Sequence, residues 1–282
     1  MKLFATFLFV LFSFATLAQE DQRLSGGKWA YYGEEFYTTL TSKKSLSRTL
    51  FNKIFNHNHI TQKGNFDEIS SNCPHGSRCY RHLSVGYDRA RKIMFGELDI
   101  KRDGNGTYVV DVYCGKKFYF SNVDEVSRMH DRVNIEHTWP QSKFNGNFGK
   151  DMQKSDMHHL YLTDSQANSA RGNSPFGLVH ISENRLGSGE GCGKSLFGIT
   201  ARGEVYTPPA SHRGNVARAL FYFSMHYNLG ISQTEEAILR LWHKADPVDE
   251  NELRRHEQIA KYQKVRNPFV DHPEIVDRIS DF

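Results

Sequence analysis

The sequence predicts a single α+β domain, and three features carry that prediction. A hairpin pattern lies at residues 98–113, a run rich in His, Asn, Gly and Ser fills residues 122–203, and three helical patterns begin at residue 213. The 282 residues are 38% hydrophobic and 24% charged, which excludes a disordered or collagenous chain. Since no repeat or long linker divides the chain, we expect one mixed domain whose irregular middle is held between flanking helices.

The first 18 residues have the pattern of a signal peptide. Lys2 supplies a positive start, residues 3–17 are almost uniformly apolar, and small residues precede the cleavage position after Ala18. The apolar run is shorter than the ~20 residues that a membrane span needs. We therefore expect residues 19–282 to form a periplasmic or secreted protein with no membrane attachment after signal cleavage.

The charge balance is mildly basic. The formal net charge is +4, and removal of residues 1–18 takes away one positive charge and no negative one. Such a balance permits a polyanionic partner without identifying one.

Because the chain is expected to be exported, its cysteines are expected to form disulfides. They are Cys73, Cys79, Cys114 and Cys192. Disulfides persist in oxidising compartments, and four cysteines allow three pairings. The short Pro/Gly-containing loop between the first two favours 73–79 together with 114–192. A zinc site is the competing interpretation, but no CxxC pair is present and the spacings match no zinc finger.

The N-terminal third contains one clear periodic pattern. Residues 20–42 are polar and tyrosine-rich, and we expect an irregular lead-in there. Leu46, Leu50 and Ile54 recur every four residues, which predicts a helix. Residues 56–84 are loop-like.

A short helix at residues 87–95 and then the hairpin at 98–113 are expected next. Residues 103–106, Asp-Gly-Asn-Gly, form its turn. They also begin like a calcium-binding loop, but Cys114 occupies the position that requires a terminal Glu, so that interpretation is rejected. Farther along, residues 213–229, 234–243 and 250–264 have helical patterns.

The segment 134–142, Asn-Ile-Glu-His-Thr-Trp-Pro-Gln-Ser, is the sharpest local feature. It places a carboxylate, Glu136, beside an imidazole, His137. Adjacent side chains on a strand point to opposite faces, so both can serve one site only at a strand end or bend. Pro140 favours such an end. Taken alone, the pair also fits a surface carboxylate and a structural histidine.

Residues 156–164 predict a short strand that includes His158 and His159. We expect these two histidines to be structural, with hydrogen bonds to the backbone.

Residues 165–173 predict one or two helical turns after that strand. Asn168 and Arg171 are three apart and therefore share a helix face. A metal held by Glu136 and the Asn168 amide oxygen would have two hard oxygen ligands, which suit Mg²⁺ or Ca²⁺ rather than zinc. The guanidinium of Arg171 is well shaped to contact a phosphate.

Several motifs, taken together, resemble the bacterial endonuclease I family of exported, non-specific nucleases. The similarity covers roughly residues 85–272. Its motifs, in order, lie at residues 134–142, 156–160, 168–173, 213–218, 242, 247–250 and 267–270. The resemblance implies a ββα-metal (His-Me finger) core flanked by helices, with His137 as general base and Glu136 and Asn168 as Mg²⁺ ligands.

The chain departs from that family at one point. The family places an arginine on the phosphate from the loop after the Glu-His pair, whereas residues 143–154 contain no arginine. The cations present there are Lys143, Lys150 and Lys154, and a lysine would act as a point charge rather than a fork. With Arg171, these are the candidates for substrate binding.

The resemblance implies a Mg²⁺-dependent, largely sequence-independent endonuclease acting on DNA and RNA, with Mn²⁺ or Ca²⁺ able to occupy the same site. We expect a monomer with no obligate protein partner. One alternative is a zinc hydrolase, but the sequence has no HExxH motif. Another is an inactive nucleic-acid-binding protein on the same fold; it predicts loss of Glu136, His137 or Asn168, and all three are present.

Overall fold

A computed structural model describes most of the chain. The described residues are 28–56, 82–128, 130–180, 184, 192, 195–201 and 203–282. The expected signal peptide and the expected Cys73–Cys79 disulfide lie outside them. Within the described ranges, no helix is long and apolar enough to cross a membrane.

The N-terminal segment corrects one expectation, because most of the supposed irregular lead-in is helical. Helix α1 spans Lys28–Ser42 and bends at Gly33, whose φ of 76° is a left-handed conformation that glycine adopts without strain. The aromatic rings of Tyr32 and Phe36 are buried and stacked on each other. Tertiary packing of these aromatic residues stabilises a helix that the local sequence pattern did not predict. Helix α2, Arg48–Asn56, confirms the second prediction.

The next unit contains the predicted helix and hairpin. Helix α3, Tyr87–Ile93, continues into a π-helical turn, Met94–Leu98. Strands β1 (Lys101–Asp103) and β2 (Gly106–Val110) pair antiparallel across the predicted turn. The sequence did not predict the third strand, β3 (Lys117–Phe120), which pairs antiparallel with β2.

The middle of the chain is built from short elements rather than from irregular structure. Helix α4 is Val123–Arg128, strand β4 is Val133–His137, helix α5 is Lys150–Ser155, strand β5 is Leu160–Asp164 and helix α6 is Ser165–Arg171. Two 3₁₀ turns, Gln141–Lys143 and Met157–His159, lie between β4 and β5. Strand β5 and helix α6 confirm the strand and the helical turns expected within residues 156–164 and 165–173. Helices α4 and α5 are too short to show a periodicity in the sequence.

The C-terminal part confirms the three predicted helices. After the antiparallel hairpin of β6 (Leu196–Thr200) and β7 (Gly203–Thr207) come α7 (Arg213–His226), α8 (Gln233–Ala245) and α9 (Glu250–Gln263). A short helix α10, Pro268–Asp271, and a 3₁₀ segment, Pro273–Arg278, follow.

Helix α7 is the centre of the larger hydrophobic core, and most of its residues are buried. Around it pack α1, α2, α8 and the loop after β4, whereas a smaller core lies between α3 and the β4–β5 pair. The disulfide Cys114–Cys192 joins the connection between β2 and β3 to the segment before β6, as predicted. Short elements are thus held in place by a helical scaffold.

Candidate active site

Strands β4 and β5 pair antiparallel, and helix α6 follows β5 directly. The register sets His137 opposite Leu160 and Glu136 opposite Tyr161. His137 is the last residue of β4, and the chain then turns away toward Pro140. The Glu-His pair therefore lies at a strand end, as the sequence predicted.

The carboxylate of Glu136 is buried and held by two donors. The Tyr113 hydroxyl donates to Oε1 at 2.8 Å, and Nη1 of Arg171 lies 2.9 Å from the same oxygen. Within the part of the chain that the structure describes, no group donates to Oε2. Burial raises the pKa of Glu136, and the Arg171 charge and the Tyr113 hydrogen bond oppose that rise.

Arg171 connects Glu136 to the end of its strand. Its Nη1 also donates to the carbonyl of His137 at 3.1 Å, and Nη2 donates to the carbonyl of Thr138 at 2.8 Å. The guanidinium carbon lies 4.5 Å from the ring centroid of Phe176, and the side chain is 2% exposed. Arg171 thus fixes the strand end and the carboxylate, whereas the sequence suggested contact with a phosphate.

The imidazole of His137 is held in one tautomer. Its Nε2–H donates to the carbonyl of Lys154 at 3.0 Å, so that Nδ1 is an acceptor, which the Gln141 amide approaches at 3.3 Å. Burial lowers the pKa of His137 to about 4. The ring is therefore neutral near pH 7, with a lone pair on Nδ1.

Asn168 is held on the same side of β4 as Glu136. Its Nδ2 donates at 2.8 Å to the side-chain oxygen of Asn134, which also accepts from the Thr163 hydroxyl. Asn134 and Glu136 are two residues apart on a strand and share a face. With the amide nitrogen engaged, the Asn168 side-chain oxygen remains as an acceptor.

These donors fit a hard divalent cation. Oε2 of Glu136 and the amide oxygen of Asn168 are both oxygen ligands, the type that Mg²⁺, Mn²⁺ and Ca²⁺ prefer. Arg171 and Asn168 contact neighbouring residues of one strand face, which brings both oxygens to the same side of the hairpin. Two protein ligands leave room for waters and a phosphate, which is typical of Mg²⁺.

The loop lysines differ in their relation to His137. The Lys154 ammonium lies 4.4 Å from the ring centroid of Tyr87, and that ring lies 5.5 Å from the imidazole. Lys143 and Lys150 are exposed. Lys154 is therefore the cation that the structure anchors beside the imidazole.

The two neighbouring histidines have structural contacts. His158 donates from Nε2 to the carbonyl of Val265 at 2.9 Å, and His159 donates to the carbonyl of Gln153 at 2.8 Å. Both are buried in a 3₁₀ turn rather than on the predicted strand, and burial lowers the pKa of each. Hydrogen bonding to the backbone was predicted correctly.

A second group of potential metal ligands lies behind the loop, where atoms of His82, Asp156 and His226 fall within 4.8 Å of one another. Gln263 fixes the tautomers: its Oε1 accepts from the Met157 N–H, so its Nε2 donates to Nε2 of His82 at 2.6 Å. His82 then carries its proton on Nδ1, which faces Nε2 of His226 at 3.1 Å. A metal held by these residues would need a free lone pair on Nδ1 of His82, where the proton lies. We therefore assign the group to hydrogen bonding.

Asp156 is the structural centre of this group. Its Oδ2 accepts from the hydroxyls of Tyr222 and Tyr227 at 2.8 and 2.9 Å, and its Oδ1 accepts from the His158 N–H. These bonds attach the loop to α7 through Asp156, which lies two residues after Lys154. The Lys154 carbonyl orients the imidazole of His137.

Sequence reasoning assigned no role to several residues of the site. Asn134 and Gln141 lie inside the quoted motif, and strand alternation would have placed Asn134 on the Glu136 face. Tyr113 lies 23 residues before Glu136, and no local pattern connects the two.

The fold and the site together define a ββα hairpin-helix site, with a Glu-His pair ending the first strand and an asparagine on the helix. A family model described as Endonuclease I matches residues 75–274. The chain belongs to this family, which confirms the resemblance seen in its motifs.

Relatives of known activity include proteins with different substrates in their names. The chain is 36% identical over 165 residues to an extracellular ribonuclease of Bacillus subtilis (strain 168), covering 52% of this chain and 53% of the relative. It is 26% identical over 202 residues to an extracellular deoxyribonuclease of Aeromonas hydrophila, covering 61% and 86%. A periplasmic deoxyribonuclease of Aeromonas hydrophila is 27% identical over 119 residues, covering 42% and 48%. The chain thus spans about half the length of the Bacillus relative.

Proposed function

We propose that this protein is a Mg²⁺-dependent endonuclease that hydrolyses phosphodiester bonds in DNA and RNA with little dependence on base sequence. The observation that carries the proposal is the fixed imidazole of His137, whose Nε2–H is anchored on the Lys154 carbonyl and whose Nδ1 is an acceptor. His137 follows directly after Glu136, whose carboxylate is suited to a metal. The relatives named as ribonuclease and deoxyribonuclease support both substrate classes.

His137 acts as the general base. Its Nδ1 accepts a proton from the water that attacks phosphorus, and the Lys154 carbonyl keeps the ring in the required orientation. The pKa of about 4 ensures a neutral ring before substrate binds. An anionic phosphate beside the imidazole favours the charged form, so substrate binding raises that pKa toward the working pH.

Glu136 and Asn168 would hold the metal. A bound Mg²⁺ would supply positive charge to neutralise the phosphate and the leaving oxygen, and Mn²⁺ or Ca²⁺ would bind the same oxygen ligands. Arg171 and Tyr113 are positioning residues, because they fix Oε1 of Glu136 and leave Oε2 for the cation.

The substrate is gripped through its phosphates. Lys154 is the main phosphate contact, since its ammonium is held over Tyr87 beside His137. Lys143 and Lys150 add positive charge along the same exposed loop. Such contacts carry no base information and weaken with salt.

We also propose that the protein acts outside the cytoplasm as a monomer. The apolar N-terminal 18 residues and the names of extracellular and periplasmic relatives support export. The disulfide Cys114–Cys192 is stable in such an oxidising compartment.

The first test incubates the purified mature protein with supercoiled plasmid and with RNA. Both substrates should be cut, excess chelator should stop cleavage, and added Mg²⁺ or Mn²⁺ should restore it. Cleavage that persists in excess chelator would refute the metal assignment. Binding of DNA without cleavage under any metal would favour the inactive nucleic-acid-binding alternative.

A second test separates the roles of the two neighbours. His137→Ala should lower turnover ~10²–10⁴-fold while Mg²⁺ still binds, because only the base is lost. Glu136→Gln, which keeps an acceptor for the buried Arg171, should weaken Mg²⁺ binding in calorimetry, and higher Mg²⁺ should recover part of its activity. The exposed His180→Ala is the matched control and should cut at the parent rate. Loss of metal binding in His137→Ala alone would reverse the two roles.

A further inference from the structure

A cavity of about 360 Å³ adjoins the candidate active site. Its walls include Thr138 and Pro140 from the loop after His137, Arg171 from the end of α6, and Glu235 from the first turn of α8. Because Arg171 also binds Glu136, one guanidinium is shared between this cavity and the proposed metal site. The volume is at the lower end of the range for small-molecule pockets, ~300–1,000 Å³.

Two polar atoms of buried residues that line the cavity have no hydrogen-bond partner among the residues that the structure describes. They are Oγ1 of Thr138 and Nε of Arg171, whose residues are 1% and 2% exposed. Leaving such an atom unsatisfied costs about 1–3 kcal/mol, so native proteins nearly always provide a partner. A polar ligand in the cavity would supply the missing partners.

Glu235 adds an acceptor. Its Oε1 accepts from the Phe176 N–H at 2.8 Å, whereas its Oε2 accepts no hydrogen bond from any described residue. Burial raises the pKa of Glu235, and the Phe176 N–H and the charges of Lys143 and Arg171 oppose that rise. The cavity thus presents a hydroxyl, an N–H donor, the Lys143 ammonium and a carboxylate, between apolar walls that include Leu220 and Ile231.

We infer that this cavity binds one unpaired nucleobase of the substrate strand, next to the nucleotide whose phosphodiester is cut. The inference rests on the proposed nuclease function. Arg171 is paired with Glu136, and Glu235 offsets the charge of Lys143, so the lining has no surplus positive charge for a phosphate. Apolar walls with a few convergent donors and acceptors match a nucleobase edge. Pockets that receive an extruded base combine the same two features.

Guanine fits this donor and acceptor set best. Its N1–H and exocyclic amino group are two adjacent donors for the Glu235 carboxylate, and its O6 accepts from groups such as Arg171 Nε–H or the Thr138 hydroxyl. Uracil offers only one donor on the corresponding edge. The cavity thus adds a base preference at one position to a site that otherwise holds phosphates.

Binding in excess chelator tests the pocket without any cleavage. Calorimetric titration of the full mature protein should show tighter binding of guanosine 5′-monophosphate than of uridine 5′-monophosphate or inorganic phosphate. Glu235→Gln keeps the side-chain shape and should weaken guanosine monophosphate binding about 10-fold or more, as expected for loss of a charged acceptor. Binding of inorganic phosphate should not change.

Sequencing of cleavage ends provides the second measurement. The parent enzyme should show guanine enriched at one position beside the cut in single-stranded RNA, and Glu235→Gln and Thr138→Val should each reduce that enrichment. Glu250→Gln removes an exposed carboxylate from the start of α9 and should leave the end distribution unchanged.

The outcomes distinguish the two proposals. Nucleotide binding that depends on Glu235, without cleavage, would support the pocket and refute the nuclease function. Normal cleavage with equal binding of all four nucleotides, or with end distributions unchanged in Glu235→Gln and Thr138→Val, would refute the pocket alone. Equal binding of inorganic phosphate and guanosine monophosphate would show an anion site instead.

Discussion

Replacing Arg171 by methionine should destabilise the folded protein strongly. The Arg171 and Glu136 side chains are 2% and 3% exposed, and their charged atoms are 2.9 Å apart. Arg171→Met keeps much of the side-chain volume against Phe176 but leaves the carboxylate without its cation. Removing one partner of a buried ion pair typically costs about 3–5 kcal/mol. We expect a loss in that range, measured by urea unfolding in chelator so that metal binding does not contribute.

Lowering the pH should reduce the difference in free energy of unfolding between Arg171→Met and the parent. Arg171 opposes the burial-driven rise in the pKa of Glu136, so its removal raises that pKa further. A carboxyl whose pKa is higher in the folded than in the unfolded state binds protons preferentially when folded. The variant therefore gains stability relative to the parent as pH falls through that raised pKa.

A double-mutant cycle tests the pairing directly. Glu136→Gln combined with Arg171→Met removes both charges. The double variant's loss in free energy of unfolding should therefore be smaller than the sum of the two single losses by about 1 kcal/mol or more. Arg254→Met, at an exposed arginine of α9, is the control and should cost less than about 0.5 kcal/mol. A loss below about 1 kcal/mol for Arg171→Met, or strictly additive losses, would refute the pairing argument.

Three further outcomes follow from the structure. Reducing Cys114–Cys192, which closes a sequence separation of 78, should lower the free energy of unfolding by about 4 kcal/mol, and an unchanged urea midpoint under reductant would contradict this. Burial lowers the pKa of three histidines to about 3; they are His82, His212 and His226. In the unfolded chain each of these histidines has a pKa of about 6.5, so the unfolded state binds more protons than the folded state below that pH. Each histidine should therefore cost about 1.4 kcal/mol of stability between pH 7.5 and 5.5. The loss would be measured as a lower Tm, and a Tm that does not change with pH would refute it. Lys154→Met should reduce the slope of log affinity for DNA against log salt by about one, and an unaltered slope would exclude it as a phosphate contact.

Local patterns in the sequence predicted the elements that carry their own signal. Helices α8 and α9 have amphipathic patterns and capping residues, and the turn at residues 103–106 has the composition that hairpins require. His137 was expected at a strand end because Pro140 follows it, and that end is present. Such features depend on residues only a few positions apart, which the sequence shows directly.

The sequence missed structure whose stability comes from distant residues. Residues 28–42 contain no uniform helical stripe, yet they are helical because Tyr31, Tyr32 and Phe36 are buried against the rest of the domain. The short helices α4 and α5 were missed in the same way, because packing rather than propensity fixes them. The strand and the helical turns expected at residues 156–173 are present as β5 and α6.

For the site, the sequence by itself determined the chemical types and their local spacing: a carboxylate beside an imidazole, and an asparagine and an arginine on one helix face. Tertiary structure alone decided which way each group faces. It turned Arg171 inward to Glu136, brought the Tyr113 hydroxyl to the same oxygen, and put the Lys154 carbonyl on His137. These contacts join residues 17 to 35 positions apart, and only the packing of the whole domain fixes such separations.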